Sequence, residues 1–219
     1  MKERRIPYRG REITVYFNPD RCTHVAECLM GAPEVFDSGR RPWVEPDAAS
    51  PDLIAEVVRL CPTGALHFDR RDGGEQESVP DVNRIFLWED GPFVLLGNIR
   101  LTDVRGNLLL EDTRVALCRC GESGHMPHCD GVHAIVDFQD DGTVPAGQRQ
   151  AGPLPAQPVP LTVSLQPNGP LKLSGPMHII DVFDHDVFQG TRALLCRCGA
   201  SKQKPFCDGT HSRIGFVSE

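Results

Sequence analysis

One cassette occurs twice in this chain and constrains its fold more than any other feature. Cys118, Cys120, Cys129 and His133 follow the spacing Cys-x-Cys-x8-Cys-x3-His, and Cys196, Cys198, Cys207 and His211 repeat it at an offset of 78. The same offset, without a gap, aligns Gly91-Pro92 with Gly169-Pro170, Gly97 with Gly175, and Asp103-Val104 with Asp181-Val182. It also aligns Thr113-Arg114 with Thr191-Arg192 and Phe138 with Phe216, so the register holds for 48 residues. A register that long marks a duplicated domain rather than a chance pair of motifs.

The spacing suits metal binding. Two cysteines at i and i+2 on extended chain project both thiolates to one side. The eight-residue excursion, with Gly121 and Pro127 or Gly199 and Pro205, can return the chain to the same centre. Cysteine and histidine four residues apart share one face of a helical turn. Three soft ligands and one borderline ligand fit either a tetrahedral zinc or a two-iron, two-sulfide cluster. The short Cys-x-Cys spacing favours the cluster, because zinc knuckles usually place two or more residues between paired ligands. A disulfide framework fits poorly. Nine cysteines is an odd number, and no apolar stretch reads as an export signal or a membrane span, so a reducing, cytoplasmic location is expected.

These residues carry a family resemblance. Both segments resemble the CDGSH iron–sulfur domain of the mitoNEET type, whose pattern is Cys-x-Cys-x2-Ser/Thr-x3-Pro-x-Cys-Asp-Gly-x-His. Ser123, Pro127 and Asp130-Gly131 fit it in the first copy, and Ser201, Pro205 and Asp208-Gly209 in the second. The residue before the histidine departs from the family's usual serine, being Val132 or Thr210. The resemblance implies one [2Fe–2S] cluster per cassette, with Cys118 and Cys120 on one iron and Cys129 and His133 on the other. In the second copy the pairs would be Cys196 with Cys198, and Cys207 with His211. It also implies that two such domains pair through a β-sandwich, which the duplication would supply as an intramolecular pseudo-dimer. The membrane anchor of some relatives has no counterpart here.

Three cysteines remain. Cys22 and Cys28 hold the outer positions of a ferredoxin-type C-x2-C-x2-C run, with Val25 at the middle position, and Cys61-Pro62 is the distant member. Roughly residues 11–70 resemble the divergent single-cluster ferredoxins often fused to CDGSH domains, with support from Ala32-Pro33-Glu34-Val35-Phe36 and Cys61-Pro62-Thr63-Gly64-Ala65-Leu66. Valine offers iron no ligand atom. Three thiolates therefore favour a [3Fe–4S] cluster over a [4Fe–4S] cluster with one labile iron. His24 is one residue out of register and reads as a solvated loop histidine. The ligand set for this site is Cys22, Cys28 and Cys61.

The expected fold class is α+β, with a ferredoxin-like βαβ module over 1–72, one CDGSH domain over 83–138, a second over 161–219, and an exposed linker over 139–160. In the first module Ile13–Phe17 suggests a strand. Ser50-Pro51-Asp52 reads as the start of a helix with Leu53, Ile54, Val57 and Val58 on its apolar face, and Ala65–Phe68 reads as a closing strand. In each repeat two apolar runs flank a turn: Ile85–Trp88 with Phe93–Leu96, and Leu161–Leu165 with Leu171–Leu173. A third run, Val115–Leu117 or Ala193–Leu195, delivers the first cysteines. Asp130 and Asp208 read as helix caps that support the cluster, and Arg119 and Arg197 either as offsets to cluster charge or as solvated cations. His125 and His128 read as solvent-facing loop residues in preference to proton carriers to the cluster, and His67, His178 and His185 as structural or exposed.

Low aromatic content (6%) with Gly 21 and Pro 19 favours small, turn-rich modules that a metal helps to hold together. A formal net charge of −7 argues against nucleic-acid or anionic-membrane partners and favours redox partners with basic docking surfaces. No nucleophile elbow, phosphate loop or dinucleotide fingerprint is present, so the chain reads as an electron carrier rather than an enzyme. The alternatives are a redox or iron sensor, a [2Fe–2S] cluster donor, or one subunit of an oxidoreductase.

Overall fold

The computed structural model describes residues 4–150, 152, 154 and 159–218. The chain divides into two compact units, residues 1–78 and 79–219. Helices are few and short, and strands dominate.

The first unit is a three-stranded antiparallel sheet, β1 (Ile6–Arg9), β2 (Ile13–Phe17) and β3 (Leu66–Arg70), in that order. Two helices, α1 (Glu27–Gly31) and α2 (Pro51–Arg59), lie between β2 and β3 in the chain. The α2 start follows its capping sequence: the Ser50 side chain accepts from the Leu53 amide at 3.3 Å, with Pro51 in the first turn. Its buried face, Ile54, Val57 and Val58, packs with Ile13, Val15 and Phe68 from the sheet. Trp43 closes the other side, edge-on to Phe17 at 4.8 Å. The expected βαβ module thus takes the form of an antiparallel sheet with an added strand. β1 was invisible in sequence because Ile6-Pro7-Tyr8-Arg9 is short and its outer edge is open, with only Ile6 and Tyr8 inclined to the core.

Among the described residues the second unit holds six strands: β4 (Arg84–Leu87), β5 (Phe93–Thr102), β6 (Leu108–Leu117), β7 (Leu161–Leu165), β8 (Leu171–Ile180) and β9 (Asp186–Leu195). Within each repeat the expected hairpins form, β4 with β5 and β7 with β8, both antiparallel. The hairpins β5–β6 and β8–β9 run much longer than the sequence runs suggested, through turns at Asp103–Asn107 and Asp181–His185. The repeats also exchange strands. β4 runs parallel to the second half of β8, and β7 runs parallel to the second half of β5. One strand can serve two partners because each long strand changes register at a glycine, between Leu96 and Ile99 or Ser174 and Met177. Gly97 (φ +151°) and Gly175 (φ +124°) occupy these bends, where a Cβ would stand 2.3 Å from Asn83 Oδ1 or the Pro160 carbonyl.

Inward residues from both copies form one core. Ile85, Phe93, Leu95, Ile99, Leu101 and Leu117 meet their counterparts Val163, Leu171, Leu173, Met177, Ile179 and Leu195. Part of the predicted linker belongs to this unit as well. Val144 is fully buried in the core and Asp140 packs beside Arg119, because the chain after Phe138 folds back over the β4–β5 turn. That segment is therefore not simply an exposed linker. Its residues 151, 153 and 155–158 lie outside the described residues.

Candidate metal centres

In each cassette the strand that precedes it presents the first two thiols, and the following loop turns back antiparallel to the strand end. The Cys118 amide donates to the Pro127 carbonyl at 2.8 Å, and the Cys129 amide donates to the Ala116 carbonyl at 3.0 Å. The second copy repeats this with Cys196 to Pro205 and Cys207 to Leu194, each at 2.8 Å. Ser123 ties the loop by donating to the His128 carbonyl at 2.7 Å while accepting from the His125 amide at 3.1 Å. Ser201 does the same with Phe206 and Gln203, at 2.6 and 3.1 Å. The serine of the motif is thus a loop clasp.

The aspartates stand one residue before the helix N-caps, which are Gly131 and Gly209, and not at the caps as expected. Asp130 accepts from the Val132 amide, which opens the short 3-10 helix Val132–Ala134, at 3.1 Å, and from the Gly124 amide at 2.8 Å. Asp208 accepts from the Thr210 amide, the first of α3 (Thr210–Arg213), at 2.9 Å, and from the Lys202 amide at 3.0 Å. Hydrogen bonds from four backbone amides hold both carboxyls below the usual carboxylate range, although burial opposes this for Asp130.

The potential ligands come in pairs. Cys118 Sγ and Cys120 Sγ are 3.7 Å apart, as are Cys196 Sγ and Cys198 Sγ. Two thiolates at about 2.3 Å on one tetrahedral metal would stand about 3.8 Å apart. Cys129 Sγ and His133 Nδ1 are 3.3 Å apart, and Cys207 Sγ and His211 Nδ1 match them at 3.3 Å. These separations also fit the two donors sharing one metal, with Nδ1 the donor atom. Among the described residues no three Cys, His, Asp or Glu side chains converge on a single metal position. Each cassette thus presents two two-ligand bites.

Amides also point at the sulfurs: Gly121 N–H to Cys118 at 3.3 Å, Gly131 N–H to Cys129 and Gly209 N–H to Cys207, both at 3.4 Å. Gly131 and Gly209 reach this geometry at φ +89° and +82°, which a side chain would oppose. Burial pushes the Cys129 and Cys196 thiols up to about 11. A hydrogen bond from Cys120 outweighs burial at Cys118 and draws its thiol down to about 6. Burial lowers the His133 imidazole from its ordinary value.

In the first unit Cys22, Cys28 and Cys61 line one cavity with Val25, Phe17, Trp43 and Leu66. Val25 thus sits among the three thiols. The loop that carries it turns through two left-handed residues, His24 (φ 58°) and Ala26 (φ 70°), conformations that non-glycine residues adopt at a cost of roughly 1 kcal/mol or more. His24 is exposed, with Nδ1 4.0 Å from Cys22 Sγ. Burial raises the Cys22 thiol and pushes that of Cys28 up to about 11.

Three of the remaining histidines face carboxylates. His67 faces Glu77 at 2.7 Å, His178 faces Asp186 at 2.5 Å, and His185 approaches Asp181 at 3.5 Å. Sequence reasoning did not find Asp140 as the partner of Arg119 or the clasp role of the serines. Contact over about 20 residues and hydrogen bonds to backbone leave no mark in residue spacing. No helix among the described residues is long and apolar enough to cross a membrane.

Ligand pairs of this kind on a β-rich frame, with a separate three-cysteine cavity, define an iron–sulfur protein. The family model described as a divergent 4Fe-4S mono-cluster matches residues 8–71, and the model described as an iron-binding zinc finger of CDGSH type matches residues 90–134 and 168–212. The uncharacterised protein YjdI of Escherichia coli strain K12 is 38% identical over 61 residues, which is 28% of this chain and 80% of that protein. YjdI of Escherichia coli O157:H7 matches to the same extent. No solved structure matches. The chain belongs to the iron–sulfur proteins that join a divergent 4Fe–4S mono-cluster domain to two CDGSH domains.

Proposed function

We propose that this protein is an electron carrier with three clusters: a [2Fe–2S] cluster in each CDGSH cassette and a [3Fe–4S] cluster at the N-terminal cavity. The observation that carries the reading is the pairing of ligands at 3.7 and 3.3 Å in both cassettes. Cys118 and Cys120 would hold one iron and Cys129 and His133 the other, with Cys196, Cys198, Cys207 and His211 in the same roles. When bound, such clusters supply one-electron storage at potentials set by ligand type, hydrogen bonds to sulfur and burial. This chain's residues supply the amide bonds to sulfur, a largely dry setting and one neutral histidine per cassette. Histidine in place of cysteine removes a negative charge from the ligand set and raises the potential.

The exchange of β4 and β7 between repeats, and the single shared core, support reading the two CDGSH domains as an intramolecular pseudo-dimer. Val25 among Cys22, Cys28 and Cys61 supports the three-iron assignment, with a [4Fe–4S] cluster bearing a labile iron as the other form this cavity could hold. A net charge of −7 supports partners with basic docking surfaces.

Iron and sulfide per chain test the reading, with about seven irons expected from these ligand sets. A colourless protein containing only zinc would end it. A cluster-donor role predicts loss of [2Fe–2S] to an apo-ferredoxin, whereas a carrier cycles between redox states with its iron retained.

A further inference from the structure

The two cassettes sit in equivalent frames but not in equivalent fields. At the offset of 78, Asp90 and Asp140 of the first repeat fall opposite Asn168 and Ser218 of the second. One bond is kept: the Asp140 amide donates to Asp90 Oδ1 at 2.6 Å, and the Ser218 amide donates to Asn168 Oδ1 at 3.0 Å. The return bond differs, since the Asp90 amide donates to the Asp140 carbonyl at 2.8 Å and the Asn168 amide to Ser218 Oγ at 3.1 Å. Both carboxylates are lost in the second copy.

That charge bears on the arginine inside each Cys-x-Cys. Arg119 is buried, lies over Phe138 at 5.4 Å, donates to the Gly91 carbonyl at 2.8 Å and pairs ionically with buried Asp140 at 2.8 Å. Arg197 is equally buried, lies over Phe216 at 5.6 Å and donates to the Gly169 carbonyl at 3.0 Å. Among the described residues it meets only backbone carbonyls and the ring, so its cation has no carboxylate beside it. Lys204 reaches over the Phe138 ring at 5.8 Å, but its half-exposed ammonium is screened by water.

The two cassettes meet at the boundary between repeats. Gly199 packs on the carbonyl of Cys120 and Gly121 on that of Cys198, so each cassette's backbone lies against the other's. Arg197 lines a cleft with Met126 and Pro127 of the first cassette's loop, and Lys204 of the second cassette's loop reaches over the same Phe138 ring as Arg119. Each arginine faces a thiol of the opposite cassette, Cys118 for Arg197 and Cys196 for Arg119, and Arg119 also adds to burial in lowering the His133 imidazole of its own.

We propose that Arg197 raises the reduction potential of the Cys118 cassette, while Asp140 neutralises Arg119 and so withholds the same effect from the Cys196 cassette. The duplicated sites then differ in potential, and the first cassette is reduced first. The proposal rests on the [2Fe–2S] reading given above. Adding an electron adds negative charge, and a nearby uncompensated cation in a weakly solvated site stabilises it. Partial exposure of Cys198 and Cys207, where Cys120 and Cys129 are buried, opposes this difference. A buried full charge outweighs it.

The test is a reductive titration of the cluster-loaded full chain, followed by electron paramagnetic resonance, after iron and sulfide content has been measured. The expected result is two [2Fe–2S] reduction steps at least tenfold apart in equilibrium constant, about 59 mV for one electron. His211→Cys should move only the later step, which assigns it to the second cassette. Asp140→Asn should raise the second cassette's potential, and the reciprocal Ser218→Asp should lower that of the first. In both variants the steps draw together with visible absorbance unchanged. Coincident steps in the parent chain, or variants that keep their clusters without moving either step, overturn the proposal. A chain lacking four irons in [2Fe–2S] form overturns the underlying reading as well, and the prior iron and sulfide measurement separates that failure from a failure of the charge argument.

Discussion

Gly199 lies against the carbonyl of Cys120: a Cβ placed on the glycine would stand 2.3 Å from that oxygen. The relationship is reciprocal, since a Cβ on Gly121 would stand 2.8 Å from the carbonyl of Cys198. The glycine that follows each Cys-x-Cys is therefore the contact through which one cassette seats the other. Both glycines hold positive φ, +74° and +90°, so any side chain there meets both a clash and backbone strain.

Gly199→Ala should lower the stability of the residue 79–219 unit by roughly 1–3 kcal/mol, the range for a strained backbone or an overpacked contact. Loss of visible absorbance on heating would report it. Both cassettes should bleach together at a lower temperature, because the displaced carbonyl belongs to the other repeat. Bleaching of the second cassette alone would show the two to be uncoupled.

Val25 stands where a fourth thiolate could reach the N-terminal cavity. Val25→Cys should convert the three-iron site to [4Fe–4S], adding about one iron per chain and abolishing the [3Fe–4S] resonance of the oxidised protein. A parent chain without that resonance would refute the three-iron assignment before the variant is made.

His133 and His211 each supply the one neutral ligand of their cassette. His133→Cys should lower the first cassette's potential and flatten its dependence on pH, because a thiolate replaces a protonatable imidazole. Potentials measured across pH 6 to 9 check this, and an unmoved potential would remove His133 from the ligand set.

Loading should release protons. In the metal-free chain burial pushes the thiols of Cys28, Cys129 and Cys196 up to about 11, so at neutral pH they are protonated. Metal ligation requires thiolates, so the loaded state binds fewer protons and is favoured as pH rises. Reconstitution yield should therefore fall steadily from pH 8.5 to 6.5. Proton uptake, or a yield independent of pH over that range, would contradict the burial of these thiols.

Much of the local structure was legible in the chain. Ser50-Pro51-Asp52 announced α2, and the alternating runs Ile85–Trp88 and Leu161–Leu165 announced the first strand of each repeat, because caps and sheet faces impose spacing on neighbouring residues. The length of the β5–β6 and β8–β9 hairpins was not legible. The outer half of β6 carries exposed Leu108 and Leu109, which break the alternation that marks a half-buried strand.

The sequence by itself determined the ligands' identity and spacing, the duplication that carries them, and the cysteines left for a third site, because metal donors must be particular residue types at short separations. Only the tertiary structure decided that β4 and β7 change partners, that Gly199 meets Cys120, and that Asp140 turns back to neutralise Arg119. Those contacts join residues far apart in the chain through backbone carbonyls and buried charge, and neither leaves a period in the sequence.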